Sequence, residues 1–580
     1  IGLYAPKDET SKLTTQPSGT VIGNFAVNLG DINGSSYEYY ESNKMANPSN
    51  DPDFATTAGT QGKTQINNDK FIDKSYGIFS SIGVDFERDT TKLYSADRTN
   101  GKNIENGHQI NLYKNVRKSI GVLTGDGATI KLGKGNISIN GGSDNTGIIV
   151  GGTDTTVAGS KSTDGKVTGD VITIDGDSRN DRGNRAIYAG NNATNEITVN
   201  SVVSTDATDS ITLVADKGAK ITVNSVAASP TIVGTSATTA KAGVKITGSE
   251  YKYDSNRVVS ATDATSTDNV GAAYANNEAV ITINRTALPS VADGPNISIK
   301  GGTDKHTNRS VGFGLFADNK AKINAQKNWI KVKDGSTNVA SLNKAKVDLT
   351  GATVDYDGEG YALYTDQSSG TDAIDMTGAT LELRGKAVGY VNDQNHPGNI
   401  KLTGTMINVY DDEVIVADLQ NTSGTTKVTV NVENKTSPGD SLKDQLLGGS
   451  GVNVVDKTSA TPNGKFKYAV VDDANINIKS AIDKAGSGST NDSETFTKRF
   501  LYQNSRINVD AAGSVKAELN TTQLNNIDAS LTAPVGLAVT ASAKSTNTST
   551  TGINNKGTVS ADRTDAGQGG IGLYVDYGFI

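Results

Sequence analysis

Three nine-residue stretches, VDLTGATVD at 347–355, IDMTGATLE at 374–382 and IKLTGTMIN at 400–408, say nearly the same thing at nearly equal intervals. A catalytic motif has no reason to recur in tandem, whereas a structural module does. A second strand pattern lies beside each: GYALYTD at 360–366, AVGYVND at 387–393 and EVIVAD at 413–418. The central apolar residues of the paired patterns, Leu349 with Leu363, Met376 with Tyr390 and Leu402 with Val416, keep one constant offset. Each unit therefore reads as strand, turn, strand, turn in about 26 residues, which predicts one turn of a coil.

The same two strand types recur along the chain. ISIN at 137–140, ITID at 172–175, ITVN at 197–200 and 221–224, and ITIN at 281–284 form one type. RAIYAGN at 185–191, GAAYAN at 271–276, GFGLFAD at 312–318, IGLYA at the start and GIGLYVD at 570–576 form the other. The steps from Ile172 to Ile197 and from Ile197 to Ile221 are similar in length and are read as successive coils. Apolar and polar residues alternate within these runs, as in half-buried strands. Leucine-rich and helical repeats lack support because their spacings are absent, and propeller blades need longer periods. The residues predict an all-β chain, a parallel β-helix or solenoid with loop and insert decorations, of roughly 22 coils if all of it were coiled.

A low apolar content could undercut that reading. Hydrophobic residues make up 35% and aromatics 6% of the 580 residues, with mean hydropathy −0.40. Such a chain would be a candidate for disorder if its apolar residues were scattered, but here they are periodic. The 64 glycines, and Asn-Gly pairs at 33–34, 140–141 and 463–464, suit the turns between strands. A net charge of −8 opposes a nucleic-acid groove, which needs concentrated Lys and Arg. No run approaches the length of a membrane-spanning helix, no signal-peptide pattern opens the chain, and the lack of Cys excludes thiol chemistry and disulfides.

The pattern divides the chain into four parts. Residues 1–118 are expected to start the β-helix with a loop insertion at about 31–70, and 119–435 to carry the regular repeats. Residues 436–505 read as an irregular insertion with short helical stretches in SLKDQLLGG and ETFTKRFLY, and 506–580 as the continuation.

Tandem IGLYA-type and GATxxL-type strands, AIYAGN turns, few aromatics and no Cys together resemble the passenger region of bacterial type V autotransporters. The style is most similar to the very large fusobacterial outer-membrane autotransporter adhesins. That resemblance implies a right-handed β-helical stalk exported to the bacterial cell surface. Its implied partners are host cell-surface glycans, host protein receptors or neighbouring bacteria. It also implies anchoring through a C-terminal outer-membrane β-barrel, whose short amphipathic strands are not present in this segment.

Enzymatic alternatives find little support in the residues. Gly234-Thr235-Ser236 echoes a serine-protease turn, but His108, His306 and His396 all stand outside the required His context. A β-helical polysaccharide-degrading enzyme needs paired carboxyl groups. The densest acidic run, Asp411-Asp412-Glu413 beside Tyr410, reads instead as a solvated turn. The GG-(S/T)-D cores at 141–144, 151–154 and 301–304 lack the calcium nonapeptide's third Gly, and no Cys/His set suits zinc. No cofactor is expected. The expected role is adhesion without catalysis, with a polysaccharide-degrading enzyme or a spacer stalk as alternatives.

Candidate ligand contacts are the aromatics of the first insertion, Tyr37, Tyr39, Tyr40 and Phe54, and Arg499 and Tyr502 of the second. Rigid amphipathic rings contribute contact area at low entropic cost. Trp329, on an alternating strand, is expected to pack.

Overall fold

The computed structural model describes residues 3–5, 18–22, 26–29, 72–73, 75–80, 83–87, 108–113, 116–133, 135–142, 144–152, 162–175, 183–208, 210–224, 232–235, 250–253, 258–261, 270–285, 294–304, 309–365, 372–393, 400–420, 428–432, 452–458, 466–472, 474–479, 481–482, 500–519, 535–540, 552–563 and 571–576. They are all strand, turn or irregular, with no helix among them. The chain divides into two compact units, 1–336 and 337–580.

In the first unit each coil contributes to three parallel rows rather than two. The first row contains Leu3–Ala5, Tyr76–Ser80, Ile120–Thr124, Thr146–Val150, Arg185–Ala189, Ile211–Ala215, Gly271–Ala275 and Phe313–Ala317, each hydrogen-bonded to the next. The second and third rows follow in every coil. Ala128–Lys131 and Gly135–Ile139 are separate strands, whereas Gly165–Asp175 and Glu196–Thr208 each run through both rows. Parallel pairing at strand spacing defines a solenoid of stacked coils, the β-helical class the repeat predicted.

The register corrects one sequence expectation. Ile172 and Ile197 do not stack. Ile197 lies beside Val167, and Ile172 beside Val202, so ITID and ITVN belong to different rows. The two motifs look alike because both alternate the same way over a core. Among the described residues each unit has eight first-row strands.

First-row strands such as Ile120–Thr124 and Gly271–Ala275 are buried at every position. The second alternates, as in Val280–Ile283, with Ile281 and Ile283 buried. Ile78, Val122, Ile148, Ile187 and Leu213 line up coil over coil and are all but inaccessible. Their neighbours Phe79, Leu123, Tyr188 and Val214, which alternation turns to the opposite face, are buried as well, and so are Tyr274 and Phe316, which continue that ladder. Tyr274 stacks on Phe316 at 5.4 Å between ring centroids.

The small residue of the IGLYA-type motif has a steric cause. A Cβ on Gly121 would lie 2.6 Å from the Gly147 carbonyl oxygen and 3.0 Å from Ile137 Cγ2. The next bend needs left-handed backbone at consecutive residues, supplied by Lys217-Gly218, Asn277-Glu278 and Asn319-Lys320. At the bend before the first row, the Asn145 and Asn184 amide oxygens accept the backbone N–H of Ser119 and Asn145 from the preceding coil. Buried backbone donors are thus satisfied where strand pairing is interrupted.

In the second unit the first row contains Thr337–Ser341, Tyr361–Thr365, Val388–Asp393, Ile415–Gln420, Lys467–Asp472, Phe500–Gln503, Val535–Thr540 and Ile571–Asp576. Here the LTG repeat explains itself. Val347 pairs with Ile374 and Ile374 with Ile400, reproducing the sequence intervals. The Leu-Thr-Gly segment is the corner between the short strand Lys346–Asp348 and the strand Thr353–Gly358. Leu349, Met376 and Leu402 fill it from inside, and Gly351, Gly378 and Gly404 turn it at φ 66°, 63° and 66°. Asp348 and Asp375 accept the backbone N–H of Thr350 and Thr377 at 3.0 and 2.9 Å. The third copy has Lys401 in place of Asp, and its Nζ reaches Asp375 at 3.0 Å. Burial alone would raise the Asp375 pKa, but the Thr377 hydroxyl and N–H together with Lys401 outweigh it and hold it below the usual carboxylate value. The spacing that matches Leu402 to Val416 slips by one, because Tyr390 pairs with Ala417.

The parts of the chain expected to carry insertions, 1–118 and 436–505, contain strands as well. Within 31–118, Tyr76–Ser80 and His108–Leu112 join the first and third rows. Within 436–505, Asn453–Asp456 and Lys467–Asp472 pair with Met406–Val409 and Ile415–Gln420. Phe500–Gln503, part of a stretch read as helical, is a strand beside Lys467–Asp472, because its apolar residues continue an existing row.

Gly121→Val is expected to cost about 3 kcal/mol, the overpacking penalty against unyielding backbone. Gly378→Ala, whose added Cβ meets nothing within 4 Å, should cost only about 1 kcal/mol, the left-handed backbone penalty. Denaturant midpoints of the two variants measure the difference. Equal shifts would contradict the steric account of the motif.

Candidate functional site

The solenoid exterior carries its chemistry in ranks, one residue per coil. In the first unit the ITVN-type strands place Thr168, Thr198, Thr222 and Thr282 in one rank of the second row. Beside it, Asn200 Nδ2 donates to Asp170 Oδ1 at 2.9 Å and Asn224 Nδ2 to Asn200 Oδ1 at 3.3 Å. Lys166 and Glu196 form an exposed ion pair at 3.5 Å. Such a pair contributes little to stability.

A polar cluster lies on the third row of the second unit. Asp355, Glu382 and Asn408 are register partners in three successive coils. Arg384 bonds Asp355 and lies 3.2 Å from Glu382. Its guanidinium carbon sits 3.9 Å above the Tyr410 ring centroid, a cation–π geometry. Asn408 Nδ2 donates to Glu382 Oε1 at 2.8 Å. Burial, followed by the hydrogen bond and charge of Glu382, pushes the Tyr410 hydroxyl up to about 12.

This arrangement is an inter-coil clasp. The acidic run beside it belongs to the same construction. Asp411 Oδ2 accepts the Gly385 N–H at 2.7 Å, and Lys386 lies 2.9 Å from Glu359 and 3.9 Å from Glu413. The run thus ties a turn to the coil before it. Among the described residues no group of three or more His, Asp or Glu is placed to hold a metal ion. Gly141 and Gly142 of the first GG-(S/T)-D core both have positive φ, as turn glycines do.

Tyr37, Tyr39, Tyr40, Phe54 and Arg499 lie outside the described residues. Tyr502 is on the strand Phe500–Gln503, opposite Val471. The fold therefore places Tyr502 in a first-row ladder rather than in a loop. Trp329 begins the strand Trp329–Lys333 and is half-buried, and its backbone N–H donates to Asn296 Oδ1 at 2.7 Å. His108 opens a third-row strand, while His306 and His396 lie outside the described residues.

Sequence reading missed Arg384 and Arg185. Arg185 is 7% exposed on the first row, with its guanidinium 5.8 Å over Tyr188. Burial lowers its pKa to about 10. Its position opposite Thr146 follows from the register, which no local pattern reports. Arg384 was findable from the alternation of TLELRG, but its partners Asp355 and Tyr410, in the coils on either side, were not.

With this geometry in place, comparison with known proteins adds no relative. No protein-family model matches the chain, and neither a curated protein nor a solved structure does.

Arg384→Gln leaves the Asp355 carboxylate, 4% exposed, without its cation. The expected loss is about 2 kcal/mol, less than for a fully buried pair because the guanidinium keeps contact with water. Asp355→Asn combined with Arg384→Gln should recover part of it, measured as a double-mutant cycle in denaturant. The Tyr410 pKa is raised in the folded chain, so its stabilising contribution is complete below the ordinary value of 10.0 and disappears as pH rises through about 12. Ultraviolet titration should show a late phenolate component that Tyr410→Phe removes.

Proposed function

We propose that this chain is a cell-surface adhesin segment: a β-helical scaffold that presents side chains for attachment and performs no catalysis. It is displayed on the outside of a bacterial cell. Its partners are a host cell-surface glycan or protein receptor, or the surface of another bacterium. What supports this most is the solenoid itself, whose parallel coils hold exterior residues in ranks at a fixed spacing of about 4.8 Å. The resemblance of the IGLYA-type and GATxxL-type strands to autotransporter passengers points the same way. So does the clasp in the second unit, where Asp355, Glu382 and Arg384 are engaged with one another across coils. Ligand contact is assigned to Tyr37, Tyr39, Tyr40 and Phe54, which lie in sequence between the third-row strand Ala26–Leu29 and the first-row strand Tyr76–Ser80, and to Arg499, which precedes the strand Phe500–Gln503. Connections of this kind are where repeat proteins place binding residues.

The immobilised chain should bind saturably to a subset of a glycan array, to epithelial cells or to other bacteria, and release no sugar products. Replacing Tyr37, Tyr39 and Tyr40 together by Ala should weaken that binding at least ten-fold with circular dichroism unchanged. A folded chain that binds none of these surfaces would be a spacer. Release of reducing or unsaturated sugars would make it an enzyme.

A further inference from the structure

We infer that Asn192 is an acceptor for an N-linked sugar. Three Asn-x-Ser/Thr triplets lie wholly within the described residues: Asn136-Ile137-Ser138, Asn192-Ala193-Thr194 and Asn296-Ile297-Ser298. The triplet is the acceptor pattern for asparagine glycosylation, but only an accessible one can carry a glycan in the folded protein.

The fold separates the three. Asn296 is fully buried, and its side chain is occupied at both ends. Its Oδ1 accepts from Arg285 Nη1 and the Trp329 N–H, both at 2.7 Å, and its Nδ2 donates to Asn328 Oδ1 at 2.8 Å. Asn136 lies inside the strand Gly135–Ile139, between Gln109 and Val171 of the flanking coils. Its Oδ1 accepts from Thr173, and the Ser138 hydroxyl is given to Asn140 instead.

Asn192 is different. It sits on the turn between the strands Arg185–Ala189 and Glu196–Thr208, where Asn191, Ala193 and Thr194 are exposed. Thr194 donates twice to Asn192 Oδ1, from its hydroxyl at 2.5 Å and from its N–H at 2.9 Å. The amide oxygen of half-exposed Asn192 is thereby held against the turn, and its Nδ2 is hydrogen-bonded to none of the described residues. The turn is anchored underneath by fully buried Asn195, whose Nδ2 donates to the Gly190 carbonyl and to Asp164, and whose Oδ1 accepts the Gly165 N–H. Both bonds from Thr194 are local, reaching back only to Asn192. They can therefore form in a chain that has not yet coiled, as local side-chain to backbone bonds do.

The donor is a sugar activated as a diphosphate ester, carried by a nucleotide or a lipid and delivered by a glycosyltransferase. A bond forms between Asn192 Nδ2 and the sugar's anomeric carbon as that carbon's bond to phosphate oxygen breaks. The diphosphate leaves with the electron pair, and one amide proton passes to a base of the transferase.

The test is peptide mass spectrometry on the folded chain purified from the cells that make it, covering all three triplets. Sugar on Asn192, with Asn136 and Asn296 bare, is the expected result. One hexose would identify a nucleotide-linked donor and a preassembled oligosaccharide a lipid-linked one. Asn192→Gln and Thr194→Val should each lower occupancy at this turn at least ten-fold, while Thr194→Ser retains it. These surface changes should leave the circular dichroism unaltered. A bare Asn192 in the native chain overturns the assignment. Occupancy of Asn136 or Asn296 in the folded protein, or unchanged occupancy in Thr194→Val, overturns the selection by turn geometry.

Discussion

Parallel hydrogen bonding between consecutive coils imposes the constraint on which the other features depend. Each strand pairs with the equivalent strand one coil on, so every coil must reproduce nearly the same cross-section at a rise of about 4.8 Å. A side chain that alters the path at a corner disturbs the coil above it. Gly121 has no Cβ because the Gly147 carbonyl occupies that space. Gly351, Gly378 and Gly404 repeat one left-handed turn in three coils. The same constraint places like residues in vertical contact, where neighbouring charges would repel. Cations offset the acids that do stack: Lys401 lies beside Asp375, the register partner of Asp348, and Arg384 bonds both Asp355 and its register partner Glu382.

What the ladder does not constrain is the length of a connection. In the first unit 46 residues separate the third-row strand Ala26–Leu29 from the first-row strand Tyr76–Ser80 in sequence, and 35 separate Ile232–Thr235 from Gly271–Ala275. The hairpin of Gly302–Asp304 with Arg309–Val311 leaves the same corner. Lengthening a surface connection adds little closure entropy, about 0.6 kcal/mol per doubling. Insertions are therefore tolerated at a corner, whereas one residue added within a strand would turn its inward side chains outward.

Much of the fold was legible because it is local. GATVDYDG and GATLELRG carry their own strand, their own turn and their own inward-facing apolar residues, and the stack repeats them. The aromatic first-row motif was legible at RAIYA, GAAYA and FGLFA, but not at TNVAS or ITLVA, which occupy the same row without an aromatic. Of the polar cluster, Asp411 and Tyr410 stood out as neighbours in sequence. Their dependence on Arg384 and Gly385 did not, since it arises from coils lying side by side. The Asn192 triplet could be read directly, but its difference from Asn136 and Asn296 could not.

By itself the sequence determined that this chain is β throughout its described part, repetitive, and built from coils of roughly two dozen residues wherever the motif is unbroken. Those properties follow from side-chain alternation and turn preference, which act over a few residues. Only the tertiary structure decided that the described coils of the first unit contribute to three rows, that Ile172 sits beside Val202 rather than Ile197, and which exterior residues meet across coils. Register is set by how whole coils stack over a shared core and by the lengths of the connections between them. Two segments with the same alternation are interchangeable until that stacking assigns each to its row.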